Sequence, residues 1–271
     1  MSADIKLLQE KAKLLRKDIV EMVYQAKDGH PGPALSIADI VATLYFHEMR
    51  IDPKNPNWEG RDRLILSKGH ACPAVYSALA RKGFFSPDLL PTLRALHSTL
   101  QGHPVMGKTP GIDMTSGSLG NGLSIGLGMA LASYYTGIDY NVFVIMGDGE
   151  LQEGIVWEGI LAAAKYKAGR LIVFVDENGW QSGDCVEKVG GCPSIYDRFE
   201  SFGWHCQDID GHDIQSIVSA IDTAKKVTDQ PSLILAKTVK GKGVPYMENN
   251  NAWHKGVPSK EQYEEAMKVL G

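Results

Sequence analysis

Two short polar segments follow apolar runs at an interval that suits metal and phosphate chemistry. Gly147-Asp148-Gly149-Glu150 comes after the run Val142 to Met146, and Asp176-Glu177-Asn178-Gly179-Trp180 comes after Leu171 to Val175. Asp148 and Asn178 are 30 residues apart, one strand–helix–strand period. In a parallel sheet both segments reach the carboxyl edge, where open α/β sheets bind ligands. There Asp148 and Asn178 can face one another as two hard oxygen ligands, while Gly149 lets backbone amides approach a phosphate. The combination describes a clamp for a magnesium ion and a diphosphate. A single Asp-Gly or Asn-Gly is ordinarily a turn, and it is the paired spacing that gives the metal reading equal standing.

Histidine supplies a second set. His30 lies in Gly-His-Pro-Gly, His70 in Ser-Lys-Gly-His-Ala, His103 in Gly-His-Pro, and His254 in a long Asn-rich segment, so four of the eight histidines sit in Gly- or Pro-rich turns. Such turns can aim an imidazole into a cleft for hydrogen bonding or proton transfer. Taken singly, each is more often a surface or capping residue, and His47, His97, His205 and His212 carry no further signal. Gly117-Ser118-Leu119-Gly120 suits either a close helix contact or amides presented at a helix N-terminus to a diphosphate or ring. Glu153, one turn past Gly149, suits the dipole of the helix it begins.

Positioning these residues requires strands and covering helices. Leu64 to Leu66, Val142 to Met146, Leu171 to Val175 and Leu233 to Leu235 are apolar runs, alternating with helical stretches. That pattern predicts α/β: a mostly parallel sheet with helices on both faces. Leu151 to Lys167 is long enough to be the crossover helix between the second and third runs. Ile5, Leu8, Ala12, Leu15, Ile19 and Met22 form an amphipathic stripe ending near Gly29; Ser36 and Ser86-Pro87 are each expected to open a helix. Gly117 to Gly128 runs into a helix whose small residues admit another backbone. The segment Lys240 to Ser259 is an irregular loop, and Ser259 with Gln262 forms a capping box for a last helix.

Composition narrows the function class. The chain has 271 residues, 44% hydrophobic and 22% charged, which excludes disordered and fibrous classes. A net charge of −4 provides no basic field for nucleic acid or anionic lipid. No apolar run is long enough for a spanning helix and no signal peptide is evident, so a cytoplasmic protein is expected. Cys72, Cys185, Cys192 and Cys206 lack C-x-x-C spacing and read as reduced thiols.

Taken together, the residues resemble the N-terminal, diphosphate-binding part of transketolase, a thiamine diphosphate enzyme. The likeness runs in order through nearly the whole chain: GHPG at 29–32, LSKGHA at 66–71, GHP at 102–104, TSGSLGNG at 115–122, GDGELQEG at 147–154, DENG at 176–179 and His254. It implies that Asp148, Asn178 and the Trp180 carbonyl hold Mg²⁺ or Ca²⁺. It implies cofactor contacts at His70, Gly147, Gly149, Glu150, Asn178, His254 and the turn Gly117, Ser118, Leu119. His30, His103 and His254 would face substrate, and Glu153 would join a carboxylate network across a dimer interface. Ser118 departs from the family, which usually has proline there.

The resemblance also implies an incomplete active site. Residues 1–271 correspond to a single thiamine diphosphate-binding domain, and full transketolases continue into pyrimidine-binding and C-terminal domains, the former carrying the glutamate that protonates the cofactor. These are expected on a partner chain, in an α₂β₂ assembly with no nucleic acid or membrane partner. The implied reaction is transfer of a two-carbon ketol unit from a ketose phosphate to an aldose. Pentose phosphates are the default substrates, with apiose-type and sulfo-sugar substrates open. Two other readings are the α-subunit of a thiamine-dependent 2-oxo acid dehydrogenase or decarboxylase, and a non-catalytic cofactor-binding fragment. The string of histidines favours sugar hydroxyls over a keto-acid pocket.

Overall fold

Leu8, Ala12, Leu15, Ile19 and Met22 are buried along one side of α1 (Ile5–Ala26), which Asp4 caps by accepting the Leu7 N–H. The computed structural model describes residues 3–190 and 194–271; Cys192 lies outside them, while Cys72, Cys185 and Cys206 are free thiols. After α1 come α2 (Pro31–Ser36) and α3 (Ala38–Thr43), which runs into a π-helical turn over Leu44–Glu48. Ser36 therefore ends a helix instead of opening one. The reason is Pro31, whose fixed φ and missing N–H suit a first helical position, so the helix starts earlier. His30 thus sits at a helix N-terminus, not in a turn, and the Ser36 hydroxyl is free to donate to Asp176 at 2.7 Å.

Five parallel strands form the sheet, in the order β1-β2-β3-β5-β4. They are β1 (Arg63–Leu66), β2 (Val142–Gly147), β3 (Leu171–Glu177), β4 (His205–Asp210) and β5 (Ser232–Lys237). Four lie on the predicted apolar runs. β4 has no such run because, unlike the buried β1 at the other edge, it is half-exposed along its length and tolerates polar residues on both sides. Register sets Gly147 beside Asp176 and Asp176 beside Ala236, so the polar segments after β2, β3 and β5 share one edge.

Helices cover both faces. The remaining ones are α4 (Cys72–Lys82), α5 (Asn121–Thr136), α6 (Gly154–Lys165), α7 (Val186–Gly190), α8 (Ile195–Ser201), α9 (Ile214–Ala224) and α10 (Lys260–Leu270). Phe143, Ile145, Ile172 and Phe174 point to the layer of α1, α3, α4 and α9. Val144, Met146, Val173 and Val175 point to α5, α6 and α8. The period-2 alternation of a strand thus feeds two cores, which is why the runs read as continuously apolar.

Local chemistry adjusts several boundaries. The crossover helix begins at Gly154, because Gly149–Gln152 forms a 3₁₀ turn instead of its first turn. Ser86 caps a helix as expected, but Pro87–Thr92 is 3₁₀, with Pro91 inside removing an N–H. The last helix has the predicted capping box at Ser259 and Gln262. In α5 the small residues face the sheet: a Cβ on Gly122 would stand 2.9 Å from Ser67 Cα, and one on Gly126 2.6 Å from Val144 Cγ2. Among the described residues, no helix is long and apolar enough to cross a membrane.

Candidate functional site

The carboxyl edge of the sheet opens into a cleft of about 410 Å³, whose lining includes His30, Lys68, His70, His103, Asp148, Asn178, Lys240 and His254. Each comes from the end of a strand or the turn beyond it, except the histidines at 30, 103 and 254, which helices and loops bring in from outside the sheet. A larger groove of about 850 Å³ lies at the opposite, amino edge, along Tyr134, Tyr135 and Arg170. It holds none of the chemistry-bearing set, so volume does not locate the site here.

Asp176 organises the floor. It is fully buried and accepts from the Ser36 hydroxyl at 2.7 Å, Lys68 Nζ at 2.6 Å, Asn178 Nδ2 at 2.7 Å and the Thr238 hydroxyl at 2.5 Å. Burial pushes its carboxyl up, but Lys68 and the hydrogen bonds outweigh this and leave it below the ordinary range. The bond to Asp176 fixes which way the Asn178 amide points. Its Oδ1 then accepts the Trp180 N–H at 3.0 Å, with a second lone pair left for a ligand.

Asp148 is the other half of the predicted pair. It is 4% exposed, and its two oxygens accept the Gly149 N–H at 2.8 Å and the Gly179 N–H at 2.6 Å. Among the described residues no cationic side chain bonds it. Burial, and then the charge of Asp176, push its carboxyl up to about 7. Here is a buried anion short of positive charge, with one free lone pair per oxygen, which suits a divalent cation. No group of three or more His, Cys, Asp or Glu side chains among the described residues is placed to hold a metal. The clamp would instead combine one carboxylate, one amide oxygen and a main-chain carbonyl.

Lys240 is its electrostatic opposite, and sequence reasoning missed it. It is fully buried and donates to Asn251 Oδ1 at 2.8 Å and His254 Nδ1 at 2.9 Å, with no carboxylate bonded to it among the described residues. Burial, then Lys68, pull its ammonium down to about 8. A buried cation without an anion fits a phosphate group. Lys68 was missed as well, although it lies inside the LSKGHA motif; the signal available was only that motif, since lysine alone is the commonest of surface residues.

Three of the predicted histidines converge. Ring centroids are 5.1 Å apart for His30 and His70, 5.2 Å for His70 and His254, and 5.6 Å for His30 and His254. His103 lines the same cleft, against Gly117: a Cβ there would lie 3.6 Å from its ring. Burial, followed by Arg94, pulls His30 down to about 4; burial, followed by Lys240, pulls His254 down to about 3. His70 is lowered by burial and Lys68, and His103 by burial and Arg94. At neutral pH the cleft therefore presents uncharged imidazoles, able to donate and accept.

The other predicted residues take different places. Glu150 is buried, and its carboxylate receives the Ser67 hydroxyl, the Gly120 N–H at 2.7 Å and the Gly147 N–H at 3.1 Å. It thereby pins the Gly117–Gly120 turn to the end of β2. Gly117, at φ 144°, and Leu119 line the cleft, whereas Ser118 is exposed outside the lining. The side chain at this position, where the family resemblance implies proline, therefore lies outside the cleft wall. Gly149 packs under Gln181, whose Cβ would be 2.7 Å from an added Cβ. Glu153 is exposed at the rim, at the N-cap position of α6 but without capping it.

Known proteins share this sequence and fold. Residues 7–271 match the family described as transketolase, thiamine diphosphate binding domain. A 6-deoxy-6-sulfo-D-fructose transketolase subunit from Clostridium sp. (strain MSTE9) is 43% identical over 97% of this chain and 96% of that protein. An apulose-4-phosphate transketolase subunit of Phocaeicola vulgatus is 40% identical over 98% of this chain and 94% of that protein. The crystal structure of transketolase from Campylobacter jejuni superposes with a TM-score of 0.93 at 34% identity, across 99% of this chain but 43% of that one. The cleft, its charge pattern and these likenesses agree: the chain belongs to the transketolase family, as its thiamine diphosphate-binding domain.

Proposed function

We propose that this chain is the N-terminal, cofactor-binding subunit of a two-chain transketolase, transferring a two-carbon ketol unit from a ketose to an aldose. The observation that carries this is the polar pattern of the cleft, where among the described residues the Lys240 ammonium has no bonded carboxylate and the Asp148 carboxyl no bonded cation, and the two flank a set of neutral histidines. A diphosphate and a divalent cation together supply both missing partners. Relatives of matching length are named transketolase subunits, which supports a separate partner chain over a non-catalytic fragment and favours ketol transfer over the 2-oxo acid dehydrogenase reading.

Thiamine diphosphate supplies, when bound, the carbanion-stabilising chemistry that breaks and remakes the carbon–carbon bond beside a ketose carbonyl. This chain's own residues bind and orient. Asp148, Asn178 and the Trp180 carbonyl would hold Mg²⁺ or Ca²⁺, while Lys240 and the Gly117 turn would meet the diphosphate, close to the main chain at Gly149. His254 has its Nδ1 occupied by the Lys240 ammonium, so Nε2 carries the proton and is the donor left for the cleft. His30 and His103, uncharged, can hydrogen-bond sugar hydroxyls in either sense, and His70 would contact the cofactor. Glu153, exposed at the rim, would join a carboxylate contact with a second chain.

The single domain of residues 1–271 would then be completed by pyrimidine-binding and C-terminal domains on the partner, in an α₂β₂ assembly. The two relatives' names both denote a ketose ending in an anionic group, a sulfonate or a phosphate. We extend that class to this chain, with pentose phosphates as its simplest members and the far anion read by the partner. The test is calorimetric titration with thiamine diphosphate and Mg²⁺, on the chain alone and with its partner, followed by a ketol-transfer assay. Binding and turnover in the mixture are expected. Full turnover by the chain alone would overturn the two-chain reading.

A further inference from the structure

The segment after β5 that carries Lys240 is gripped on both sides by one buried network outside the cleft. On one side the Val239 N–H donates to His212 Nε2 at 2.8 Å. On the other the Lys242 carbonyl accepts from Arg16 Nε at 3.1 Å. Both gripping side chains converge on a single carboxylate. His212 Nδ1 lies 2.8 Å from Asp39 Oδ2, and Arg16 bonds both Asp39 oxygens, with Nη1 at 3.1 Å from Oδ1. The side chains of Arg16, Asp39 and His212 are 10%, 9% and 14% exposed.

The hydrogen bonds define every role in this network. Because His212 Nε2 accepts a main-chain N–H, the ring proton sits on Nδ1 and is donated to Asp39. Burial raises the Asp39 carboxyl, but the bond from His212 and the charge of Arg16 outweigh it and keep the group ionised. Neighbouring main-chain groups are held too: the Lys240 carbonyl accepts the Asn249 N–H at 2.9 Å, and the Gly241 N–H donates to the Gly32 carbonyl at 3.1 Å. The Lys240 main chain is thus held from all sides, while its ammonium is the end that meets His254. Conformational freedom in so long a side chain is costly to restrict, and fixing its root limits where the ammonium can reach.

We propose that Asp39 is a positioning residue for cofactor binding, acting through His212 and Arg16 to fix the main chain at Val239 and Lys242 and thereby the Lys240 ammonium and His254. None of the three touches the cleft. The inference rests on the reading of the cleft as a thiamine diphosphate site, and it adds where the precision of that site comes from.

The test uses the two-chain complex and reads thiamine diphosphate affinity by calorimetry at about 20 °C, below the melting transition of each variant as checked by a thermal scan. His212→Phe keeps a ring of similar size but loses the acceptor, and is expected to weaken cofactor binding about tenfold, the scale of one lost hydrogen bond. His212→Gln restores an acceptor and is expected to return affinity to within about threefold of wild type. Asp39→Asn should weaken binding at least as much as His212→Phe. A merely structural role predicts lower melting temperatures with wild-type affinity, and that outcome, or a Gln variant no better than Phe, overturns the proposal. Should Asp39→Asn fail to fold, the two His212 variants decide alone. Failure of the cofactor reading shows differently, as absence of binding by the wild-type complex.

Discussion

Lys240 Nζ lies 2.9 Å from His254 Nδ1, and because an ammonium can only donate, this contact leaves the His254 proton on Nε2. One pair therefore sets the tautomer of His254. Lys240→Met removes the bond and the charge. Thiamine diphosphate affinity should fall at least about tenfold, the scale of a lost charge-assisted bond. The His254 imidazole should titrate well above its present value of about 3, since one of the two largest influences lowering it is gone. Calorimetry reads the first and NMR titration of the imidazole the second.

Asp148→Asn should uncouple cofactor binding from metal. In the wild-type complex, chelation of Mg²⁺ is expected to weaken thiamine diphosphate binding. In the variant, affinity should be low with or without Mg²⁺. Retained metal dependence would remove Asp148 from the clamp.

His30 makes stability depend on pH in a stated window. Its pKa is about 4 in the folded chain against 6.5 for the ordinary group, so the unfolded chain binds more protons between these values. Its stabilising contribution is full above pH 6.5 and is lost as pH falls towards 4. The melting temperature of wild type should drop further between pH 7 and pH 5 than that of His30→Gln. Equal drops would show that the imidazole is not held neutral.

Lys68→Met leaves Asp176 as an unpaired charge in the interior, since the two side chains are 2% and 0% exposed. Breaking such a pair costs about 3–5 kcal/mol. Denaturant unfolding should show the midpoint falling accordingly. A loss below about 1 kcal/mol would mean that the serine, threonine and asparagine bonds suffice.

Gly122→Ala puts a methyl hard against Ser67 Cβ and 2.9 Å from Ser67 Cα, a contact that only movement of α5 or β1 can relieve. Overpacking of this kind costs about 1–3 kcal/mol. Because Ser67 also bonds Glu150, which pins the Gly120 amide, the same variant should loosen the diphosphate turn. Differential scanning calorimetry with a cofactor titration reads both effects.

The apolar runs and their spacing determined the sheet, the crossover helix and the edge at which Asp148 and Asn178 meet, because a buried parallel strand needs side chains that satisfy both faces. The edge strand His205–Asp210 was illegible for the converse reason: half-exposed along its length, it needs no apolar pattern. Proline chemistry at Pro31 outweighed the helix-opening preference of Ser36, a competition that local spacing does not rank. Motif order pointed to His30, His70, His103 and His254, but only the folded chain brings the rings of His30, His70 and His254 within 5.6 Å of one another.

The charges of the site belong to the tertiary structure. Lysine, aspartate and histidine are ordinary surface residues in a sequence, and His212 read as one. What gives Lys68, Asp176, Lys240 and His212 their roles is burial. Segments more than sixty residues apart, such as 68, 176 and 240, arrive at one sheet edge where water is excluded. There an unpaired charge is expensive and a paired one fixes geometry, so polar side chains that are interchangeable in solvent acquire definite partners. Residue types and spacing thus determined which chemistry the chain can support; desolvation and convergence decided which residues perform it.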